Sequence, residues 1–424
     1  MSQKIVRDPV HDVIAFRTES PLESLLFSLI NAQEVQRLRR IRQLGLTSLA
    51  YPCADHSRYS HSLGVMETAR RMLGQLELDF KIEPYQKAVC LSAALLHDLG
   101  HGPFSHVFER VSGIAHEKIS CQIILDPDTC VNRLLRQFAV DLPRDVAGLL
   151  AHSPTRTWLS DVISSQLDAD RFDYLLRDNL MTGSRYGDFD LNWLLHSLTI
   201  DHTGNRLAVQ AKGVSAIEAF LQSRYHMYRN VYFHKVVRSA EGLVRLVLQR
   251  AKRLAVQDRL AWPAPGDAVH SALLGRQLSV REFVDLDDIS MLHCFKLWSG
   301  GQDAVLAKLC HGLLYRQLFK AIDVPRPLED ADVGKLLEEI RAVVTRAGGD
   351  ADYELFYDEP SATPYVLDEQ DERQIAVVNE DGQVVPLAAI SSMPEALNRQ
   401  LMFRRIHVSD AFAPTVRKLV QGTR

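Results

Sequence analysis

No Cys-x-x-Cys pair occurs among the six cysteines, Cys53, Cys90, Cys121, Cys130, Cys294 and Cys310, so zinc-knuckle and dithiol redox readings fall away. Cysteines this sparse also exclude a disulfide scaffold and fit a reduced, cytoplasmic setting. Long hydrophobic runs are missing too: the most apolar stretch, Ala88 to Leu96, is about half the length of a membrane-spanning helix. The opening Met-Ser-Gln-Lys-Ile-Val-Arg-Asp-Pro carries no apolar signal-peptide core. No membrane partner is expected. A surplus of charge is likewise absent, because 49 Lys+Arg face 53 Asp+Glu for a formal −4. That balance gives no bulk attraction to nucleic acid or acidic lipid, so any anion site must be local. Internal repeats and low-complexity tracts are not visible. What remains is an average globular mixture, 46% hydrophobic and 24% charged over 424 residues, which excludes disorder and collagen. The length suits roughly two to three domain-sized units, with walls for a deep pocket.

The one uneven feature is histidine. Six of the 16, His56, His61, His97, His101, His106 and His116, fall between positions 56 and 116. Around them, from Pro21 to about Val256, apolar residues recur at three and four, as in Leu91 and Leu95 or Leu243, Leu246 and Val247, which predicts a run of helices. Pro84, Gly100-His-Gly-Pro103 and Asp141-Leu-Pro143 mark turns between them. Arg206 to Gln210 is the best internal strand. After Ala261-Trp-Pro-Ala-Pro-Gly266 the texture changes to helical patches (268–274, 280–284, 289–300, 304–313 and 332–347), mixed with short alternating runs at 353–357, 374–378 and 403–408. The fold class is mainly α: a helical core over 1–256 and a smaller α+β C-terminal lobe over 257–424.

Three distant pieces supply imidazoles and carboxylates on helical scaffolds: Arg58-Tyr-Ser-His61, His97-Asp98-Leu-Gly-His101-Gly-Pro-Phe-Ser-His106 and Asp168-Ala-Asp170-Arg171-Phe-Asp173-Tyr174. His97 and Asp98 end an apolar helix, where an ionisable pair is costly unless compensated. Their side chains leave the helix about 100° apart and can meet one ion beyond its end. Two histidines and two carboxylates make a mixed N/O site for Fe, Mn, Zn or Mg, with open positions for water and phosphate oxygen. Histidines on the following turn could contact phosphate or protonate a leaving oxygen near neutral pH. A lone histidine elsewhere reads as a structural or exposed residue.

The wording Ser-Arg58-Tyr-Ser-His61-Ser-Leu-Gly-Val and Leu-Leu-His97-Asp98-Leu-Gly-His-Gly-Pro-Phe-Ser-His106 resembles the HD-domain phosphohydrolase superfamily. Within it, the sequence is most similar to deoxynucleoside triphosphate triphosphohydrolases of the branch that holds the vertebrate SAM-and-HD-domain enzyme and its bacterial homologues. The likeness runs from Asp8-Pro-Val-His11 to about Arg250, so the helical core is expected to be an HD-domain core. The resemblance implies His61, His97, Asp98 and Asp170 as metal ligands, with a further Mg ion accompanying the triphosphate. It implies catalytic or phosphate-contacting roles for His101, His106 and His116, with His106 the general acid. Glu109 stands where the vertebrate enzyme has an aspartate supporting that acid. Gln43, Arg58, Arg171, Tyr174, Asp178, Arg224, Tyr232, His234 and Lys235 match substrate contacts. The implied reaction is attack of metal-activated water at the α-phosphorus, giving deoxynucleoside and intact triphosphate.

The segment from Asn31 through Gln36 and Arg39 to Gln43 resembles the nucleotide-sensing element of the vertebrate enzyme, but Asn31 replaces an aspartate that accepts from guanine. An amide offers one donor and one acceptor group, so guanine activation is expected to be absent or altered. No separate SAM domain is expected, and the C-terminal lobe is expected to serve a homo-oligomer, dimer or tetramer. Competing readings are an HD phosphohydrolase on a nucleoside monophosphate or cyclic nucleotide, and a nucleotide sensor without turnover. The cyclic-dinucleotide version is disfavoured, because its Gly-Tyr-Pro signature is here Ala50-Tyr51-Pro52. Nucleic-acid binding through an Arg37 to Arg42 stripe is the less favoured partner.

Overall fold

A computed structural model describes residues 3–105, 107–109, 115–151, 157–201, 205–325, 328–365 and 374–422. Periodicity predicts no element before Pro21, yet the chain opens on an antiparallel hairpin of β1 (Gln3–Asp8) and β2 (Asp12–Arg17). Its turn is closed by the Asp8 carboxylate, which accepts from the amides of Val10 and His11. Ile14 and Phe16, alternate residues of β2, are fully buried. Each strand is only six residues long, too short for alternation to stand out in the sequence.

The predicted helices follow: α1 (Pro21–Ile30), α2 (Gln33–Arg37), α3 (Arg58–Leu76), α4 (Pro84–Leu96), α5 (His116–Leu125), α6 (Ala169–Thr182), α7 (Val214–Met227) and α8 (Lys235–Val256). Local chemistry starts them where the site needs them. Ser57 accepts from the Ser60 amide and begins α3, placing His61 in its first turns. Glu83 and Gln86 form a reciprocal cap on α4, with Pro84 in its first turn. Every residue of α4 from Ala88 to Leu96 is buried, so this helix is an axle of the body. Asp168 caps α6 through the Arg171 amide, and left-handed Gly183 ends it.

α3 packs on both α4 and α6. At the α3–α6 crossing a Cβ on Gly64 would overlap the Asp173 carboxylate and the Arg177 guanidinium. Gly64→Ala is therefore expected to cost about 2–3 kcal/mol by overpacking. A matching fall in the urea midpoint would check it, whereas wild-type stability would mean that α6 moves aside freely.

Between α7 and α8 the chain runs through a π-helical turn, Tyr228–Tyr232. Strands β3 (Leu198–Ile200) and β4 (Leu207–Gln210) pair antiparallel, the second as predicted. The returning β7 (Ala376–Val378) then adds parallel to β4 and carries β8 (Val384–Pro386). A second sheet has the order β5 (Lys320–Asp323), β9 (Arg405–Val408), β6 (Leu355–Asp358), all antiparallel.

The division of cores is instructive. α9 (Asp288–Ser299) and α10 (Ala304–Leu314) bury Phe295, Trp298, Leu306 and Leu309 in the same core as the earlier helices. The main core thus crosses the boundary expected near 257. A separate smaller core, with Ile322, Ile340, Val344, Ile406 and Val416, lies where the three-stranded sheet meets α11 (Asp330–Arg346) and the helix Ala413–Gly422.

His407 on β9 is fully buried and stacks on Phe356 at 4.7 Å between centroids. Burial first, then the Arg405 and Arg238 charges, push its pKa down to about 4 despite nearby Asp358. An unfolded chain takes up this proton near pH 6.5, so the stability contribution is intact above that pH and is lost as pH falls toward 4. The full loss is about 3 kcal/mol. His407→Phe is expected to lose less thermal stability than the wild type between pH 7 and 4.5. Identical pH slopes would refute that source.

Candidate metal centre and its cavity

Helix ends converge on one spot. His61 comes from α3, His97 caps the C-terminus of α4, and Asp170 lies in the first turn of α6. His61 Nε2 is 3.0 Å and His97 Nε2 is 3.7 Å from Asp170 Oδ1. The rings are 5.3 Å apart, edge to face. Their far nitrogens are pinned: His61 Nδ1 lies 2.8 Å from Asp173 Oδ2 and His97 Nδ1 2.9 Å from the Ala94 carbonyl. With each Nδ1 engaged outward, both Nε2 atoms face Asp170, and in the neutral rings each would turn its lone pair to a bound cation, the arrangement that outer partners impose on metal-binding histidines.

Three donor atoms within 4.8 Å of one another form this cluster. Among the described residues His97 Nε2 is buried without a hydrogen-bond partner, an orphan that a cation would satisfy. The set therefore fits a divalent metal. Asp98, the fourth expected ligand, stands at its edge: Oδ1 is 3.3 Å from both His97 Nε2 and His101 Nε2. Its Oδ2 accepts from Arg58 Nη1 at 2.5 Å.

The charges support one another. Burial would lower the His61 pKa, but hydrogen bonds to Asp170 and Asp173 outweigh it and raise it to about 10. His97 is raised against its burial by the charge of Asp98 and then by nearby Asp170. Burial would raise both Asp98 and Asp170, yet Arg58 and His97 hold Asp98 well below the carboxylate range, and the bond from His61, with His97 nearby, lowers Asp170. Burial and the Arg58 charge hold His101 well below its ordinary value, hence neutral.

A layer of residues behind the cluster escaped the sequence reading. Asp173 Oδ1 also bonds His11 Nε2 at 2.8 Å, and Arg177 bridges Asp173 to Asp8. The hairpin turn thus braces His61. Arg37 is fully buried and donates to the carbonyls of Leu99, His101 and Leu286 at 3.2, 2.9 and 2.8 Å. Burial lowers its pKa to about 9. In the same turn Phe104 and Ser105 adopt left-handed φ of 53° and 54°, a costly conformation for residues other than glycine. The Phe104 amide is held by Asp288, and Ser105 Oγ accepts from Arg58.

The cluster opens into a cavity of about 430 Å³. Of the expected site residues, Gln43, Arg58, His101, His116, Tyr174, Asp178 and Tyr232 line it together with His61, His97, Asp98 and Asp170. Asp178 accepts from Tyr232 at 2.9 Å and pairs with His56 at 2.8 Å. His101 and His116 stack at 3.9 Å. Glu109, expected behind His106, lies 3.2 Å from His116 Nδ1; His106 is outside the described residues.

The expected cations are placed differently. Arg171 pairs with Asp168, Arg224 donates to Gln166 at 3.1 Å, His234 caps α8 and Lys235 is exposed; none of the four lines the cavity. Arg58 lines it but is already committed to Asp98. Conversely, Leu44 to Thr47, Phe233, Val237, Arg238 and Glu241 line it without having been expected. For Val237, Arg238 and Glu241 the signal was present only as one face of α8. The supposed arginine stripe does not exist as a free face: Arg37 is buried, Arg39 stacks on Tyr59 and bonds Gln36, Arg40 pairs with Asp287, and Arg42 with Asp55. Asn31 is exposed and donates to the Phe27 carbonyl, and Gln36 donates to the Ile30 carbonyl. No described helix is long and apolar enough to cross a membrane.

Residues 58–175 match the HD domain, and 189–261 the HD associated region. The Bacillus subtilis protein YwfO is 38% identical over 405 residues, which is 93% of this chain and 89% of that protein. A Dictyostelium discoideum protein, the deoxynucleoside triphosphate triphosphohydrolase SAMHD1 homolog, is 28% identical over 76% of this chain and 60% of its own length. Among solved structures, a phosphohydrolase of Bacteroides thetaiotaomicron superposes with a TM-score of 0.81 at 29% identity, over 96% of this chain and 100% of that one.

Proposed function

The chain belongs to the HD-domain family of phosphohydrolases, and on that premise we propose that it hydrolyses deoxynucleoside triphosphates to deoxynucleoside and inorganic triphosphate. The observation that carries the proposal is the histidine pair, with both Nε2 atoms turned to Asp170 at the wall of a 430 Å³ cavity. Cavities of about 300–1,000 Å³ take ligands of nucleotide size. The substrate class is supported by the Dictyostelium relative, whose name carries that activity.

His61, His97 and Asp170, with Asp98 as fourth ligand, would hold Fe, Mn, Zn or Mg. A divalent ion there supplies Lewis acidity toward phosphoryl oxygen and lowers the pKa of water. The protein's own groups do the rest. Asp173 and the Ala94 carbonyl fix the imidazole tautomers, and Arg58 keeps Asp98 ionised. Neutral His101 offers a hydrogen bond to phosphate. Tyr174 walls the cavity, and the Tyr232–Asp178 pair would meet the sugar, its carboxylate accepting from the 3′-hydroxyl.

Water oxygen bonds to the α-phosphorus as the bond to the 5′ oxygen breaks, and that oxygen leaves with a proton. A histidine of the 106–116 stretch donates it. His116, held by Glu109, is the described candidate beside His106. Arg171, Arg224, His234 and Lys235 would serve the triphosphate only after side-chain rearrangement on binding. The same reading includes a Mg ion on the triphosphate, a cytoplasmic homo-oligomer, dimer or tetramer, and a nucleotide effector with altered guanine preference at Asn31, Gln36 and Arg39.

Turnover in ¹⁸O-water tests the step itself. The label is expected in the released triphosphate; label in the nucleoside overturns attack at the α-phosphorus, and label in a nucleoside monophosphate overturns departure of the 5′ oxygen.

A further inference from the structure

Arg238 and Glu241 lie one helical turn apart at the start of α8 and both line the cavity. Arg238 Nη1 donates to Glu241 Oε2 at 2.6 Å. Its Nε and Nη2 are held by Asp358 of β6 at 2.9 and 2.5 Å. The guanidinium is thereby locked from behind, and the carboxylate of Glu241 is held against it at the cavity wall. Phe233, Val237, Leu44 and Leu46 add apolar side chains to the lining of the same cavity.

If phosphates occupy the His–Asp cluster, as the function proposed above requires, the base falls to the wall that carries no part of that cluster. Apolar side chains with a few fixed polar groups are the chemistry that selects among flat heterocycles. We propose that the Arg238–Glu241 pair reads the base and favours bases with an exocyclic amino group over those with a carbonyl in its place. The reason is the acceptor-only character of an ionised carboxylate. Cytosine, adenine and guanine can present an amino donor to Glu241. At the position of cytosine's amino group thymine and uracil carry a carbonyl oxygen, which sets two acceptors against each other there. Asp358 acts as the positioning residue, because it stops Arg238 from swinging into the cavity and turning the acceptor site into a donor site.

The inference rests on the nucleotide reading, and a paired test separates the two. dCTP and dUTP differ by amino against carbonyl and lack the thymine methyl, so they isolate the property in question. Their triphosphate release is measured on the wild type and on Glu241→Gln, whose amide can donate or accept. Calorimetric binding of the non-hydrolysable α,β-imido forms is measured alongside.

In the wild type, dCTP is expected to exceed dUTP about tenfold or more in kcat/KM and in affinity. In Glu241→Gln that ratio is expected to fall to about two or less. Equal handling of dCTP and dUTP by the wild type, or an unchanged ratio in the variant, overturns the base-reading pair. Selective binding without triphosphate release would leave the pair standing and overturn the reaction instead. Loss of all binding in both proteins would overturn both.

Discussion

His97→Ala is expected to lose the bound divalent ion and about three orders of magnitude in turnover, roughly 4 kcal/mol of barrier lowering. The effect follows from geometry. His97 contributes one of the three clustered donors, and its Nε2 has no other described partner. Removing the ring leaves His61 and Asp170 with Asp98 only at the edge of the cluster, a donor set too open to hold the ion against solvent. The fold pays little, because the ring's only other described bond is the one from Nδ1 to the Ala94 carbonyl at a helix end. Metal content after dialysis and steady-state turnover are the readouts, with circular dichroism to show that the helices persist. A variant with full metal content and normal turnover would refute the ligand assignment.

Asp173→Ala should be the most destabilising single change near the site. Its carboxylate is fully buried and joins His11, His61 and Arg177, with Arg177 continuing to Asp8. Those donors hold it well below the carboxylate range despite burial, Arg177 contributing most. Truncation leaves a buried guanidinium with one partner instead of two, a loss of about 3–5 kcal/mol. It also frees the His61 ring, which should weaken metal binding by about 10–100-fold. Urea unfolding and metal titration report the two effects separately. Wild-type stability would mean that Asp8 alone neutralises Arg177. Wild-type affinity would mean that His61 needs no outer partner.

The residues of the cluster were legible because they sit in contiguous words: His97-Asp98 ends an apolar helix, and Asp170 lies in the first turn of another. Helix and strand positions followed from periodicity, including Arg206 to Gln210 and the short runs after Ala351. The bracing layer was not legible, since Asp8, His11, Asp173 and Arg177 meet only once a hairpin folds across α3 and α6. Arg37 misled for a related reason. In the sequence it is one of four arginines within six residues, and only the packing of Leu286 and the 99–101 carbonyls shows that it is a buried brace. The phosphate cations fared worst. Sequence position aligns Arg171, Arg224 and Lys235 with the substrate, while the structure places their side chains on Asp168, on Gln166 and in solvent. The main core runs past the boundary expected near 257 because a proline-rich break and a change of texture do not reveal which core the helices of 268–314 join.

The most direct measurement is product analysis after incubating the protein with each of the four deoxynucleoside triphosphates and a single added divalent metal, Mg, Mn, Fe or Zn. Deoxynucleoside and inorganic triphosphate in equal amounts, formed with metal and not after chelation, is the predicted result. Nucleoside monophosphate with pyrophosphate, stepwise release of phosphate, or no turnover with any of the metals would contradict it.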